Sequence, residues 1–246
     1  MSQLALALEA RVSARHLGFV ESGRANPSRE MVLTLARALD VPLREQNELL
    51  VAAGFAAIHR ETGLTTPDMA RARTALDCIL RQQEPFPAVV MDRHWNILMT
   101  NAGAARFFGR LLGPNAPERP NIIRLMFHAQ ALRSVVENWD AVAEALVQRL
   151  HREAVGGVLD DATIALLNEV LAYPGVPARW ARPTAVLAPL PFLPVSFRVD
   201  DEVLQYFSTI TTLGTPLDIT LQEIRIECFH PADDATEQYA RATAGT

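Results

Sequence analysis

The apolar positions at the start of the chain fall into short helical blocks. Ser2 precedes Leu4, Leu6 and Leu8 as a helix cap, and Ser13 precedes Leu17 and Val20 in the same way. Gly23-Arg24-Ala25-Asn26-Pro27-Ser28 reads as a turn. Ser28 caps a third helix whose Met31, Val32, Leu35, Ala36 and Leu39 share one face. Val41-Pro42 restarts the chain for a fourth helix, with Leu43, Leu49 and Leu50 following and Gly54 as its stop. Residues 58–67 are polar and contain Gly63 and Pro67. A helix over 68–83 then carries the stripe Met69, Ala72, Leu76, Ile79 and Leu80, and Pro85 and Pro87 end it.

The period changes beyond that point. PAVVMD and NILMTN are strand-like runs joined by the turn DRHWN. AGAARFFGRLL returns to helix and stops at Gly113-Pro114, before a Pro-rich loop over 115–121. Residues 122–155 are mostly helical, as are 160–172, up to a break at Tyr173-Pro174-Gly175. A Pro-rich approach, LAPLPFLP at 187–194, is an edge strand or an extended connection. VSFRV, LQYFSTITTL and LQEIRIECF are strands. In the last, Ile224, Ile226 and Cys228 occupy one face while Arg225 and Glu227 occupy the other. Gly214-Thr215-Pro216-Leu217-Asp218 lies between the two long strands and points to an antiparallel hairpin. Helices in one block, flanked by strands, imply an α+β domain with a mostly antiparallel sheet of about five strands. The implied boundaries are an all-helical unit at 1–57, a hinge and linker helix at 58–84, the α+β domain at 85–232 and a polar tail, frayed or a short helix, at 233–246.

Composition narrows the class. The 246 residues correspond to one or two domains, and 49% apolar with 21% charged residues fits a folded globular chain. No apolar run approaches the ~20 residues of a membrane helix. The opening MSQLALALEA lacks the basic segment of a signal peptide, so the expected location is the cytoplasm. Cys78 and Cys228 form no disulfide framework and are expected to be inert core thiols. The sequence carries no GxSxG, P-loop, GxGxxG or HExxH pattern, and no His has a second ligand at helical spacing. The expectation is a protein that is not an enzyme and holds no metal or cofactor. The net charge of -5 argues against general polyanion binding, yet Arg11, Arg15, Arg24 and Arg29 face a lone acid, Glu21, between positions 11 and 29.

The spacing Ser2-Gln3, Leu6-Ala7, Ala10, Val12-Ser13, Leu17, Val20-Glu21, Gly23, Asn26-Pro27-Ser28 resembles the XRE, or Cro-type, helix-turn-helix family. The resemblance implies that 14–22 is the recognition helix, lying in the major groove of an operator. Ser13 opens that helix. Ala14, Arg15, Gly18 and Phe19 take base-reading positions, with Arg15 suited to guanine and Phe19 to a thymine methyl. Gln3, His16, Arg24 and Arg29 take phosphate-contacting ones. The family carries a helix ahead of the one capped by Ser2, so the unit is read as lacking its first helix. It also has Gly in the turn where Arg11 stands.

A longer set of stretches resembles the MmyB-like transcription regulators. These are SARHLGFVESGRANPSREMVLTLARALDVPLREQNELLVAAGF, EPFPAVVMDRHWNILMTNAGAARFF, NIIRLMFH, the NW pair at 138–139, LAYPGVP and FSTITTLGTPLDITLQEIRIECFHPAD. This resemblance implies a helix-turn-helix unit followed by a PAS-like domain that binds a fatty-acid-like apolar ligand. Trp95, Phe107, Phe108, Met126, Phe127, Leu132, Trp139 and Leu146 are candidate wall residues. Arg124, His128, Arg133 and Asn138 are candidates for the ligand's carboxylate. The reading is a ligand-responsive regulator that acts as a homodimer on double-stranded operator DNA, with the 58–84 segment carrying the response. The alternative is a ligand-binding or dimerisation module whose DNA-binding part is impaired by loss of a helix.

Overall fold

The computed structural model describes residues 1–113, 116–155, 160–183 and 193–244. The chain forms two compact units. One joins Met1–Thr66 with Leu213–Gln222, and the other joins Pro67–Thr212 with Glu223–Thr246.

The first unit contains α1 (Gln3–Glu9), α2 (Ala14–Glu21), α3 (Arg29–Ala38) and α4 (Leu43–Ala52). Serine starts the first three. Ser2 Oγ accepts from the Ala5 amide at 3.2 Å, Ser13 Oγ from His16 at 3.5 Å and Ser28 Oγ from Met31 at 3.2 Å. Each hydroxyl takes a first-turn N–H that has no partner within its own helix. Ala7, Leu17 and Met31 form the core between α1, α2 and α3, with Leu6, Val12, Val20 and Leu35 packed against it. Leu39, expected in the buried stripe of α3, is exposed. Between α1 and α2 the chain turns through Arg11 at φ 54°, and the Val12 amide donates to the Ala7 carbonyl at 2.9 Å.

The second unit is built on a curled antiparallel sheet. Its strands are β1 (Ala88–Met91), β2 (Ile97–Thr100), β3 (Val195–Val199), β4 (Glu202–Thr211) and β5 (Arg225–Pro231), in the order β2-β1-β5-β4-β3. The helices are α5 (Ala70–Gln82), α6 (Ala102–Leu112), α7 (Ile122–Phe127), α8 (Trp139–Val155), α9 (Asp161–Leu171) and α11 (Asp234–Thr243). A short α10 (Ile219–Glu223) lies on the β4–β5 connection. Asn101 caps α6 by accepting the Ala104 amide at 2.7 Å, and Asn121 caps α7 by accepting Arg124 at 3.1 Å. The core contains Val89, Met91, Phe127, Leu132, Val147, Leu150, Phe197, Leu204 and Tyr206. Its aromatic rings meet edge-on, with Phe107 5.1 Å from Phe197 and 5.3 Å from Tyr206.

Two further expectations change, for the last strand and for Cys78, and the tail takes the helical one of its two expected forms. The stretch LQEIRIECF is not one strand: Leu221, Gln222 and Glu223 belong to α10, and β5 begins at Arg225. Asp218 Oδ1 accepts the Thr220 amide at 2.9 Å, which draws the chain into a helical turn before the strand. The polar tail is α11, capped by Asp233 on the Thr236 amide at 2.8 Å and seated through buried Ala240. Cys78, expected in the core, is exposed on α5 because Leu76 and Leu80 take the buried face, whereas Cys228 is buried. Most of the Pro-rich approach at 187–194 lies outside the described residues.

The left-handed turn at Arg11 presses its Cβ toward a carbonyl oxygen, which costs on the order of 1 kcal/mol for a residue other than Gly. Arg11→Gly is expected to stabilise α1 and α2 by about that amount, read as slower amide exchange in both helices of the full chain. Unchanged or faster exchange would show that the arginine side chain offsets the strain.

Candidate functional site

A cavity of about 300 Å³ lies inside the second unit between the sheet and α7 and α8. That is near the lower end of the roughly 300–1,000 Å³ usual for small-molecule sites. One face of α8 runs along it. Val142, Ala145 and Leu146 line one stretch and Arg149 and Arg152 the next, at the three- and four-residue steps of a helix face. Opposite stand Phe197 of β3, Ser208 and Ile210 of β4, and Glu227 and Phe229 of β5. In the strand register Ile210 faces Glu227 and Ser208 faces Phe229. The lining thus grades from apolar to charged along a single helix.

The charged end is organised around Trp95. This residue is 2% exposed and sits at φ 67°, in the left-handed region that bulky side chains rarely adopt. The turn around it holds it there. Asp92 Oδ1 accepts from the His94 and Asn96 amides at 2.8 and 2.9 Å, and the Trp95 amide donates to the Asp92 carbonyl at 3.1 Å. The indole Nε1 donates to Glu153 Oε2 at 3.0 Å. The Arg149 guanidinium lies 4.5 Å from the ring centre and that of Arg225 5.1 Å. Glu153 Oε1 accepts from Arg149 Nε at 3.0 Å and lies 2.9 Å from Arg225 Nη1.

Glu227 completes this end. Burial pushes its carboxyl above the usual glutamate range, and the Ser208 hydroxyl bond and the Arg149 charge pull it back only in part. Arg149, Arg152 and Arg225 outnumber the two carboxyls at this end, Glu153 and Glu227, and the balance favours an anion.

The expected wall residues divide. Trp95, Phe108, Met126, Leu132 and Leu146 line the cavity. Phe127 and Trp139 pack edge-on at 5.7 Å in the core, where Trp139 Nε1 donates to the Met126 carbonyl at 2.7 Å. Phe107 lines a different cleft, with Tyr206 and Tyr239. The four residues expected at the carboxylate lie elsewhere. Arg124 makes a two-pronged ion pair with Glu169 of α9 at 2.8 Å, and with His128 it borders a separate cleft of about 450 Å³. Arg133 stacks 4.1 Å over Trp139 and donates to the Pro174 carbonyl. Asn138 clips the start of β3, donating to the Pro194 carbonyl at 2.7 Å and accepting the Ser196 amide at 3.0 Å.

Sequence reasoning missed Arg149, Arg152, Ser208 and Glu227 as lining residues. The signal for the first two was present in the α8 spacing that continues Val142 and Leu146. The signal for Glu227 was the alternation of β5 combined with its place in the middle of the sheet. Both faces of β5 are covered here, Ile226 and Cys228 being buried on one and Glu227 and Phe229 lining the cavity on the other.

In the first unit, α2 buries Leu17 and leaves Ser13, Arg15 and His16 exposed, with Ala14, Gly18 and Phe19 partly so. The Arg15 guanidinium lies 5.5 Å from the Phe19 ring centre. Arg24 and Arg29 are exposed beyond it. Gln3 packs over Gly18, where a Cβ would come within 3.4 Å of its amide nitrogen, and Gln3 Nε2 donates to Glu21. This bond fixes α1 against α2. Among the described residues no group of three or more His, Cys, Asp or Glu could hold a metal ion, and no helix is long and apolar enough to cross a membrane.

A search of the curated proteins returned no match. A helix-turn-helix family model matches residues 1–46, which contain α1 to α3 and the start of α4. The model of the MmyB-like transcription regulator ligand binding domain matches residues 72–242, which include every lining residue of the Trp95 cavity. Both are domains of transcription regulators rather than of enzymes, and together they make the chain a ligand-responsive DNA-binding regulator. The match to the ligand-binding domain spans well over half of the sequence, and the chain belongs to the MmyB-like transcription regulators.

Proposed function

We propose that the Trp95 cavity takes a fatty-acid-like amphiphile, its chain along Val142, Ala145 and Leu146 and its carboxylate at Arg149 and Arg152. The observation that carries this reading is the single α8 face that changes from apolar to cationic inside one cavity. A fatty acid shows the same change from apolar to charged along its length. An ionised Glu227 would repel it, and the upward shift of this carboxyl weakens that repulsion. The five-stranded antiparallel order β2-β1-β5-β4-β3, with helices over the sheet, supports a PAS-like reading of this domain.

The DNA end of the reading uses α2. Arg15 is free to reach a base edge, and the exposed arginines around it suit phosphates. A homodimer would set two such helices on half-sites about one DNA turn apart. Ligand binding alters operator affinity to the extent that it favours one arrangement of the chain over another.

Organic extraction of purified protein followed by mass spectrometry tests the ligand directly. The expected result is an acyl chain in near-stoichiometric amount from the wild type and at least tenfold less from Arg149→Ala, in line with the roughly 1.5–3 kcal/mol of a charge-assisted bond. Protein that yields no lipid and takes up none of a long-chain acid would overturn the reading.

The Glu227 carboxyl gives a second test. Its raised value means that the folded chain binds more protons here than the unfolded chain. The stability this contributes is complete below the ordinary glutamate value and is lost as pH rises through the raised one. Glu227→Gln removes that loss. Its melting temperature relative to wild type is expected to increase from about pH 4 to about pH 8. A difference that stays constant across this range would show that Glu227 titrates as an exposed group.

A further inference from the structure

Strands β4 and β5 wall the cavity through Ser208, Ile210, Glu227 and Phe229, and the segment that joins them belongs to the other unit. Residues Leu213–Gln222 are packed with Met1–Thr66. The bonds that hold this arm are specific. Helix α4 begins behind Pro42, which has no side-chain acceptor to cap it. Gln222 supplies the missing cap, its Oε1 accepting the Leu43 amide at 2.7 Å from 179 positions away in sequence. Buried Asp218 accepts from Thr62 Oγ1 at 2.7 Å, and the amide of buried Ile219 donates to the Arg60 carbonyl at 2.9 Å. The helix cap and the end of the connecting segment are thus completed by a loop whose two ends run directly into the strands that face the ligand cavity.

We propose that the arm at 213–222 is the element through which the cavity acts on the DNA-binding unit, in addition to the linker helix. A change in the spacing of β4 and β5 at Ile210 and Glu227 is carried along both strands to Asp218 and Gln222, and it tightens or loosens their hold on Thr62 and on the start of α4. This rests on the reading of the cavity as the ligand site. The coupling itself is a property of the chain alone and can be measured without ligand or operator.

Amide exchange, followed by mass spectrometry on the full chain, is the test. Gln222→Ala is expected to speed exchange in the first turn of α4 by roughly five- to thirtyfold, the effect of losing a helix cap. Ile210→Trp, which fills the cavity, is expected to alter exchange at residues 43–47 and 58–62 with the arm intact and to add nothing in the Gln222→Ala background. Ile210→Ala, which enlarges the cavity, serves the same purpose if the tryptophan unfolds the sheet. Coupling is reciprocal, so Gln222→Ala is also expected to change exchange at the cavity ends of β4 and β5. Cavity variants that alter β4 and β5 but leave 43–62 at the wild-type rate would overturn the proposal. So would equal effects of Ile210→Trp in the two backgrounds. Failure to recover a lipid would count against the proposed ligand and would leave this result standing.

Discussion

Two guanidinium groups lie over the Trp95 ring, whose N–H is bound by Glu153, and the charged end of the cavity depends on this cluster. The ring gathers Arg149 and Glu153 from α8 and Arg225 from β5. Charged groups removed from water cost several kcal/mol each unless they are paired, roughly as much as whole domains retain in net stability. The aromatic face and the shared Glu153 carboxylate offset that cost while leaving the cluster with more positive than negative charge. The left-handed backbone at Trp95 is the strain that accompanies this placement, and Asp92 fixes it by binding the amides on both sides. A protein that needed this region only for packing would have no reason to keep charge, strain and burial together.

The architecture was largely legible in the sequence. Serine caps at positions 2, 13 and 28, the apolar stripe of α3 and the alternation of the strands all reflect local physics, and local physics governs these elements. The departures come from side-chain bonds. Asp218 turns the chain into α10 through a side-chain bond that propensity does not weigh, and Gln222 reaches α4 across most of the sequence. The first is a local bond that apolar alternation does not reveal, and the second depends on tertiary proximity.

The candidate site was less legible. Aromatic residues mark a core as readily as a cavity, so Phe127 and Trp139 looked the same in sequence as Trp95 and Phe108, which line the cavity. Arginines near the family motif drew the expected head-group contact to Arg124 and Arg133, although Glu169 and the Trp139 ring engage these two. Arg149 was no candidate because helical spacing places it on a face without saying what that face meets. Glu227 alternated correctly on its strand, but its significance needed the strand order. In the MmyB-like fold the informative polar residues are those on the covered faces of central elements.

A crystal structure of the protein with its retained or added long-chain acid tests the central claim most directly. The account predicts the carboxylate within hydrogen-bonding distance of Arg149 or Arg152, with the chain running along α8 past Leu146 and Val142. A carboxylate at Arg124 and His128, or a Trp95 cavity filled by its own side chains in the bound form, would contradict it.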